Sequence, residues 1–126
     1  MPTMMQKLSA CFYKYQAELD VRKFWPPRYF YENIRIQRYL PNGRDSFPLH
    51  IDVYNNAATA RFMTAILYLN ETDGGETVFP ELDLSVMPAP GKLLIFPPLW
   101  TYPHAGLPPK SAAKYILHTY LLYPPP

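Results

Sequence analysis

Four residues carry the chemistry that this sequence can do. His50 and Asp52 stand two apart in the apolar stretch Pro48-Leu49-His50-Ile51-Asp52-Val53, His104 follows about fifty residues later, and Lys114 lies ten residues beyond it. Two imidazoles and one carboxylate are a donor set suited to Fe(II). They leave three coordination positions open on one side of the ion, as oxygen activation requires. On a strand, residues two apart point to the same face, so His50 and Asp52 can reach one metal while Ile51 packs behind them. Each part alone has a plainer explanation: a satisfied polar pair at a strand end, and a hydrogen-bonded loop histidine after Pro103. The set becomes specific only if its members meet.

Lys114 opens Lys114-Tyr115-Ile116-Leu117-His118-Thr119-Tyr120-Leu121-Leu122, a segment apolar on both faces and so expected to be a central strand. An ammonium pointing inward from such a strand is costly unless an anion meets it. The alternative is a position at the solvated rim. If the anion is a ligand, a dicarboxylate fits. His118 shares the strand parity of Lys114, but four residues of strand separate them by roughly 13 Å, and it reads as structural.

These residues must be positioned by a mostly β scaffold. Met5, Leu8, Phe12, Tyr15 and Leu19 recur at helical spacing after a Thr3-x-x-Gln6 capping box, which predicts one helix ending at Pro26-Pro27, its stripe packed on a core. Strands follow at Ile34 to Tyr39, around His50, at Phe62 to Leu69, Thr77 to Phe79, Leu84 to Met87, Leu93 to Phe96 and Tyr115 to Leu122, divided by Pro and Gly turns. Short, regularly spaced strands behind one helix point to a β-sandwich or jelly roll. The Gly74-Gly75 pair reads as a turn; a phosphate cradle would need a strand-to-helix context.

Composition agrees. A chain of 126 residues with 48% hydrophobic and 16% aromatic residues makes one domain with a real core. The expected division is a buttressing helix over 1–27 and a β core over 33–123 of a single domain spanning 1–126. A net charge of +2, with basic and acidic residues interleaved, lacks the basic block that drives nucleic-acid binding. The lone Cys11 excludes an internal disulfide and fits a reducing compartment. Met1 to Lys7 has no apolar signal core and no run approaches a membrane span, so the expectation is a cytoplasmic protein.

From Tyr39 to Tyr123 the chain resembles the catalytic core of the Fe(II)/2-oxoglutarate-dependent dioxygenases, in their prolyl 4-hydroxylase-like branch. The matching features are His50-x-Asp52, Phe47 three residues before the histidine, Tyr68-Leu69-Asn70, Gly74-Gly75-Glu76-Thr77-Val78-Phe79-Pro80, Gly91-Lys92-Leu93-Leu94-Ile95-Phe96, and His104 with Lys114 at the family's spacing. Several motifs in the correct order are more specific than any one. The resemblance implies a double-stranded β-helix, a jelly-roll variant, with the N-terminal helix on its major sheet. It implies Fe(II) held by His50, Asp52 and His104, and 2-oxoglutarate paired with Lys114 and hydrogen-bonded by Tyr68, with Tyr39 in the same pocket. Oxygen would be the second co-substrate and ascorbate a supporting reductant.

The reaction so implied is hydroxylation of an unactivated C–H bond, in a prolyl peptide or a related small molecule, with release of succinate and carbon dioxide. Arg61 opens the Tyr68 strand where related enzymes hold a residue at the substrate mouth, though a solvated strand-end arginine reads equally well. Trp100 can line the entrance or belong to the core. The chain departs from the family in having less helix before its first strand and a short Val53 to Ala60 loop. Two other classes stay open: a non-catalytic jelly-roll binding module, and a nucleic-acid-modifying dioxygenase, which the weak charge disfavours.

Overall fold

In the computed structural model, which describes residues 1–126, Thr3 caps the helix α1 (Met4–Leu19) as its spacing from Gln6 predicts. The Thr3 hydroxyl accepts from the Gln6 backbone N–H at 3.1 Å, and the Gln6 side chain accepts from the Thr3 N–H at 2.8 Å. Two donors that a helix start leaves free are thereby satisfied. The helix ends before the place the sequence suggests. Asp20 adopts the left-handed conformation at φ 52° and turns its N–H onto Ala17, so the helix closes before Pro26 can break it. Aspartate is one of the few residues besides glycine that visit this region routinely.

Nine strands form two antiparallel sheets. In the larger, β9 (Lys114–Leu122) pairs along one edge with β4 (Arg61–Tyr68) and along the other with β1 (Phe30–Tyr31) and β2 (Arg35–Tyr39). β7 (Leu93–Phe96) flanks β4. The smaller sheet runs β3 (Phe47–His50), β8 (His104–Gly106), β5 (Thr77–Phe79), β6 (Leu84–Val86). This is the jelly-roll arrangement, with α1 against the larger sheet. The two-residue β1 was not foreseen, because so short a strand carries no alternation to read. β3 is also shorter than expected: it ends at His50, and Asp52 lies in the bend beyond it.

Period-two alternation divides the core into two layers. Ile66, Tyr68 and Ile116 face inward and meet Phe79 and Phe96 between the sheets. Met63, Ala65 and Leu121 face outward and are covered by Phe12 of α1. Trp25 joins this outer layer, packing edge-on against Phe62 at 5.2 Å. The helical stripe is thus core packing, although Leu19 at its end remains exposed. Phe12 is fully buried. Phe12→Ala is expected to lower unfolding stability by about 3–5 kcal/mol through lost burial and a cavity. Urea denaturation measures this, and a loss under 1 kcal/mol would show that the helix does not brace the sheet.

Candidate metal centre

The smaller sheet sets the two histidines side by side. His50 and His104 are direct partners in the β3–β8 ladder, with ring centroids 4.3 Å apart. Each ring is oriented by its own backbone: His50 Nδ1 lies 2.8 Å from the Pro48 carbonyl, and His104 Nδ1 lies 3.0 Å from the Tyr102 carbonyl. A carbonyl only accepts, so Nδ1 carries the proton in both rings and Nε2 presents its lone pair. Phe47 stacks on His50 at 3.8 Å, while Phe96 and Phe79 pack on His104 at 4.7 and 5.5 Å.

Asp52 completes the group by a route the sequence reading did not contain. Strand parity does not aim it, because β3 has already ended. Instead, the Thr64 hydroxyl of β4 donates to Asp52 Oδ2 at 2.7 Å, and the Arg61 guanidinium donates to the Asp52 carbonyl at 2.9 Å. The Val53 N–H donates to Pro98 O at 3.0 Å. Oδ1 is left 3.2 Å from His50 Nε2 and 3.4 Å from His104 Nε2. Burial pushes the Asp52 carboxyl upward, but His104 and His50, with a proton on the facing Nε2 atoms in place of an ion, and the Thr64 hydroxyl outweigh this and hold it well below the usual carboxylate range. It is therefore anionic at neutral pH.

The three ligand atoms lie within 4.8 Å of one another. Two imidazole lone pairs and a carboxylate oxygen converging in this way repel one another unless a cation, a proton or a metal ion, lies between them. Nitrogen and carboxylate donors on one side of an ion fit the two-histidine, one-carboxylate site of non-haem iron. Thr64 was missed by the sequence reading. Its signal was a lone polar residue on the inward face of an otherwise apolar strand. Thr64→Val is expected to keep the fold and weaken Fe(II) or Mn(II) binding by about 10–100-fold, as loss of a partner to a metal ligand commonly does. Unchanged affinity in a metal titration would remove Thr64 from the site.

Lys114 opens onto the same pocket as His50 and His104 and is only 2% exposed, which excludes a rim position. Its Nζ donates to the Gly75 carbonyl at 3.0 Å and stands 4.4 Å from the Tyr39 ring, directly across the β2–β9 ladder. No carboxylate lies within ion-pair distance; burial lowers its pKa to about 8, opposed in part by Glu76. Gly75, read only as a turn, has φ +76°, and a Cβ there would lie 3.2 Å from the lysine chain.

The remaining sequence candidates fall at different distances from this pocket. Tyr39 lines it; Tyr68 does not, but its phenol is hydrogen-bonded to Thr77, which does. Burial raises the pKa of both phenols, so both remain protonated. Arg61 stands behind Asp52, its guanidinium held by both Glu32 oxygens at 2.9 and 3.1 Å and stacked on Tyr120 at 3.8 Å. This is a bracing position, not a free one at a substrate mouth. Trp100 is 76% exposed and outside the pocket lining. His118, read as structural, does line the pocket.

Comparison with known proteins gives a consistent pattern. Residues 34–122 match the model of the 2OG-Fe(II) oxygenase superfamily. No curated protein matches the sequence. Among solved structures, the viral collagen prolyl hydroxylase of Paramecium Bursaria Chlorella virus-1, in complex with 2-oxoglutarate, is similar with a TM-score of 0.75 and 26% identity, over 99% of this chain and 77% of that one. A Pseudomonas putida prolyl-4-hydroxylase gives 0.73 and 21% over 99% and 68% of the two chains, a likeness of fold. A Trichoplax adhaerens prolyl hydroxylase, in complex with a hypoxia inducible factor peptide fragment, gives 0.65 and 22% over 94% and 56%.

Proposed function

The chain belongs to the 2OG-Fe(II) oxygenase superfamily, and from that premise we propose that it hydroxylates a prolyl residue in a peptide. In the balanced reaction, one oxygen atom of O2 enters the new C–OH bond. The other enters succinate as 2-oxoglutarate loses its first carboxylate as carbon dioxide. The observation that supports a prolyl peptide is the likeness to the viral collagen prolyl hydroxylase, which extends over nearly the whole of this chain. The oxygenase class rests on the family.

Iron, when bound, supplies the oxidation of the C–H bond; the protein supplies position, charge and dryness. His50 Nε2, His104 Nε2 and Asp52 Oδ1 would hold it, each already fixed by a second hydrogen bond on its other side. Lys114 would pair with the far carboxylate of 2-oxoglutarate, with Tyr39 beside it and Thr77, backed by Tyr68, offering a hydroxyl to the same pocket. Phe47, Phe79 and Phe96 surround the imidazoles with apolar rings and limit water.

The test is mass spectrometry of proline-containing peptides incubated with the protein, Fe(II), 2-oxoglutarate and oxygen. A gain of one oxygen atom on proline, matched mole for mole by succinate, is expected. Succinate formed without any modified prolyl peptide would keep the oxygenase and set aside this substrate.

A further inference from the structure

His118 belongs neither to the ligand set nor to the anion anchor, yet it lines the pocket they share. It lies on β9 opposite Ile66 of β4 and Arg35 of β2, on the same inward face as Lys114 and Ile116. Its Nε2 is fully enclosed and is the one buried side-chain nitrogen or oxygen in the protein without a hydrogen-bond partner. Such an atom destabilises the fold that keeps it, so a partner from outside the chain is the economical explanation.

Two further observations say what the partner is. Burial drives the imidazole down to about 4, so at neutral pH the ring is uncharged and offers one N–H. His118 packs on Tyr120, which lies opposite Thr64, the residue that holds Asp52, whereas Lys114 lies four residues back along β9, opposite Tyr39. His118 is therefore at the metal end of the pocket and Lys114 at the other. It is not a fourth ligand, because only His50, Asp52 and His104 converge within 4.8 Å. The Tyr120 ring, itself under Arg61, packs on the imidazole at 4.7 Å and limits its rotation.

We infer that His118 Nε2–H donates a hydrogen bond to the metal-proximal carboxylate of an α-keto acid co-substrate whose distal carboxylate is held by Lys114. This rests on the co-substrate assignment above. His118 is then a positioning residue that orients the chelating end of the molecule, and its burial unpaired is the cost of a site preformed for that ligand.

Calorimetric titration of the Mn(II)-loaded protein tests this without turnover, using 2-oxoglutarate and, as a probe that carries the chelating end alone, oxalate. His118→Leu is expected to weaken both by about tenfold, the effect of one hydrogen bond to a charged group. His118→Gln, which keeps a donor, is expected to recover most of the loss, and Lys114→Ala to weaken 2-oxoglutarate while sparing oxalate. Because leucine removes an unpaired buried nitrogen, the ligand-free melting temperature of His118→Leu is expected to match or exceed that of the parent. A lower melting temperature with both affinities unchanged makes His118 structural and overturns the inference. Loss of 2-oxoglutarate alone, with oxalate unaffected, overturns it too. Should the parent bind neither probe, the co-substrate assignment itself fails. If His118→Leu does not fold, His118→Met replaces it.

Discussion

Asp52→Ala is expected to abolish 2-oxoglutarate turnover and reduce metal affinity by more than the ~10–100-fold that follows loss of an outer partner, while the protein stays folded. Asp52 is the only anion among the three ligands and its Oδ1 is the atom both imidazoles face. Removing it leaves two neutral nitrogens to hold a dication. The fold should survive, because the Arg61 bond to the Asp52 backbone carbonyl and the Val53 bond to Pro98 do not use the lost side chain. Metal titration, succinate assay and circular dichroism on one preparation read all three. Normal turnover would remove Asp52 from the ligand set.

Lys114→Met is expected to do two opposite things. It should raise the Kd for 2-oxoglutarate by at least about 30-fold, since truncating one partner of a buried charge pair costs about 2–5 kcal/mol. It should also stabilise the ligand-free protein at pH 7, because the parent buries an ammonium with only a carbonyl and an aromatic face for company. The pH dependence has the corresponding sign. With a folded pKa of about 8 against 10.5, the burden of the buried charge is fully present below pH 8 and disappears as pH rises toward 10.5. The ligand-free protein therefore gains stability over that window, while 2-oxoglutarate, which needs the ammonium, binds progressively more weakly. Melting curves and binding titrations from pH 7 to pH 10 check both arms. An affinity unchanged in the variant or flat across that range would return Lys114 to a structural role.

The residue types and order of the site were legible because strand spacing and motif order survive in one dimension. His50, Asp52, His104 and Lys114 could be picked out, and the segment that Lys114 opens, apolar on both faces, made a buried position one of two readings, the other being the solvated rim. What aims Asp52 could not be seen in that way. The reading relied on strand alternation past a strand that ends at His50, whereas the aim comes from Thr64 and Arg61 on another sheet. Similarly, Asp20 ends α1 in a conformation for which glycine is the usual signal, so the later prolines drew the boundary. The open Nε2 of His118 follows from packing in three dimensions, and parity alone gave only its face.

The reading of the chain as an iron enzyme also sets aside the alternative of a jelly-roll binding module, since its family is one of oxygenases. Arg61 changes meaning within that frame. Held by Glu32 and stacked on Tyr120, it connects β4 to the backbone of a metal ligand, which makes it a brace for Asp52.

The central claim is that His50, Asp52 and His104 hold iron in a form that chelates 2-oxoglutarate. An anaerobic absorption spectrum of the protein with Fe(II), before and after adding 2-oxoglutarate, tests it most directly. The account predicts that the weak visible charge-transfer band of a chelated keto acid appears on addition and is absent in Asp52→Ala. A folded, iron-loaded protein that shows no band at saturating 2-oxoglutarate would contradict it.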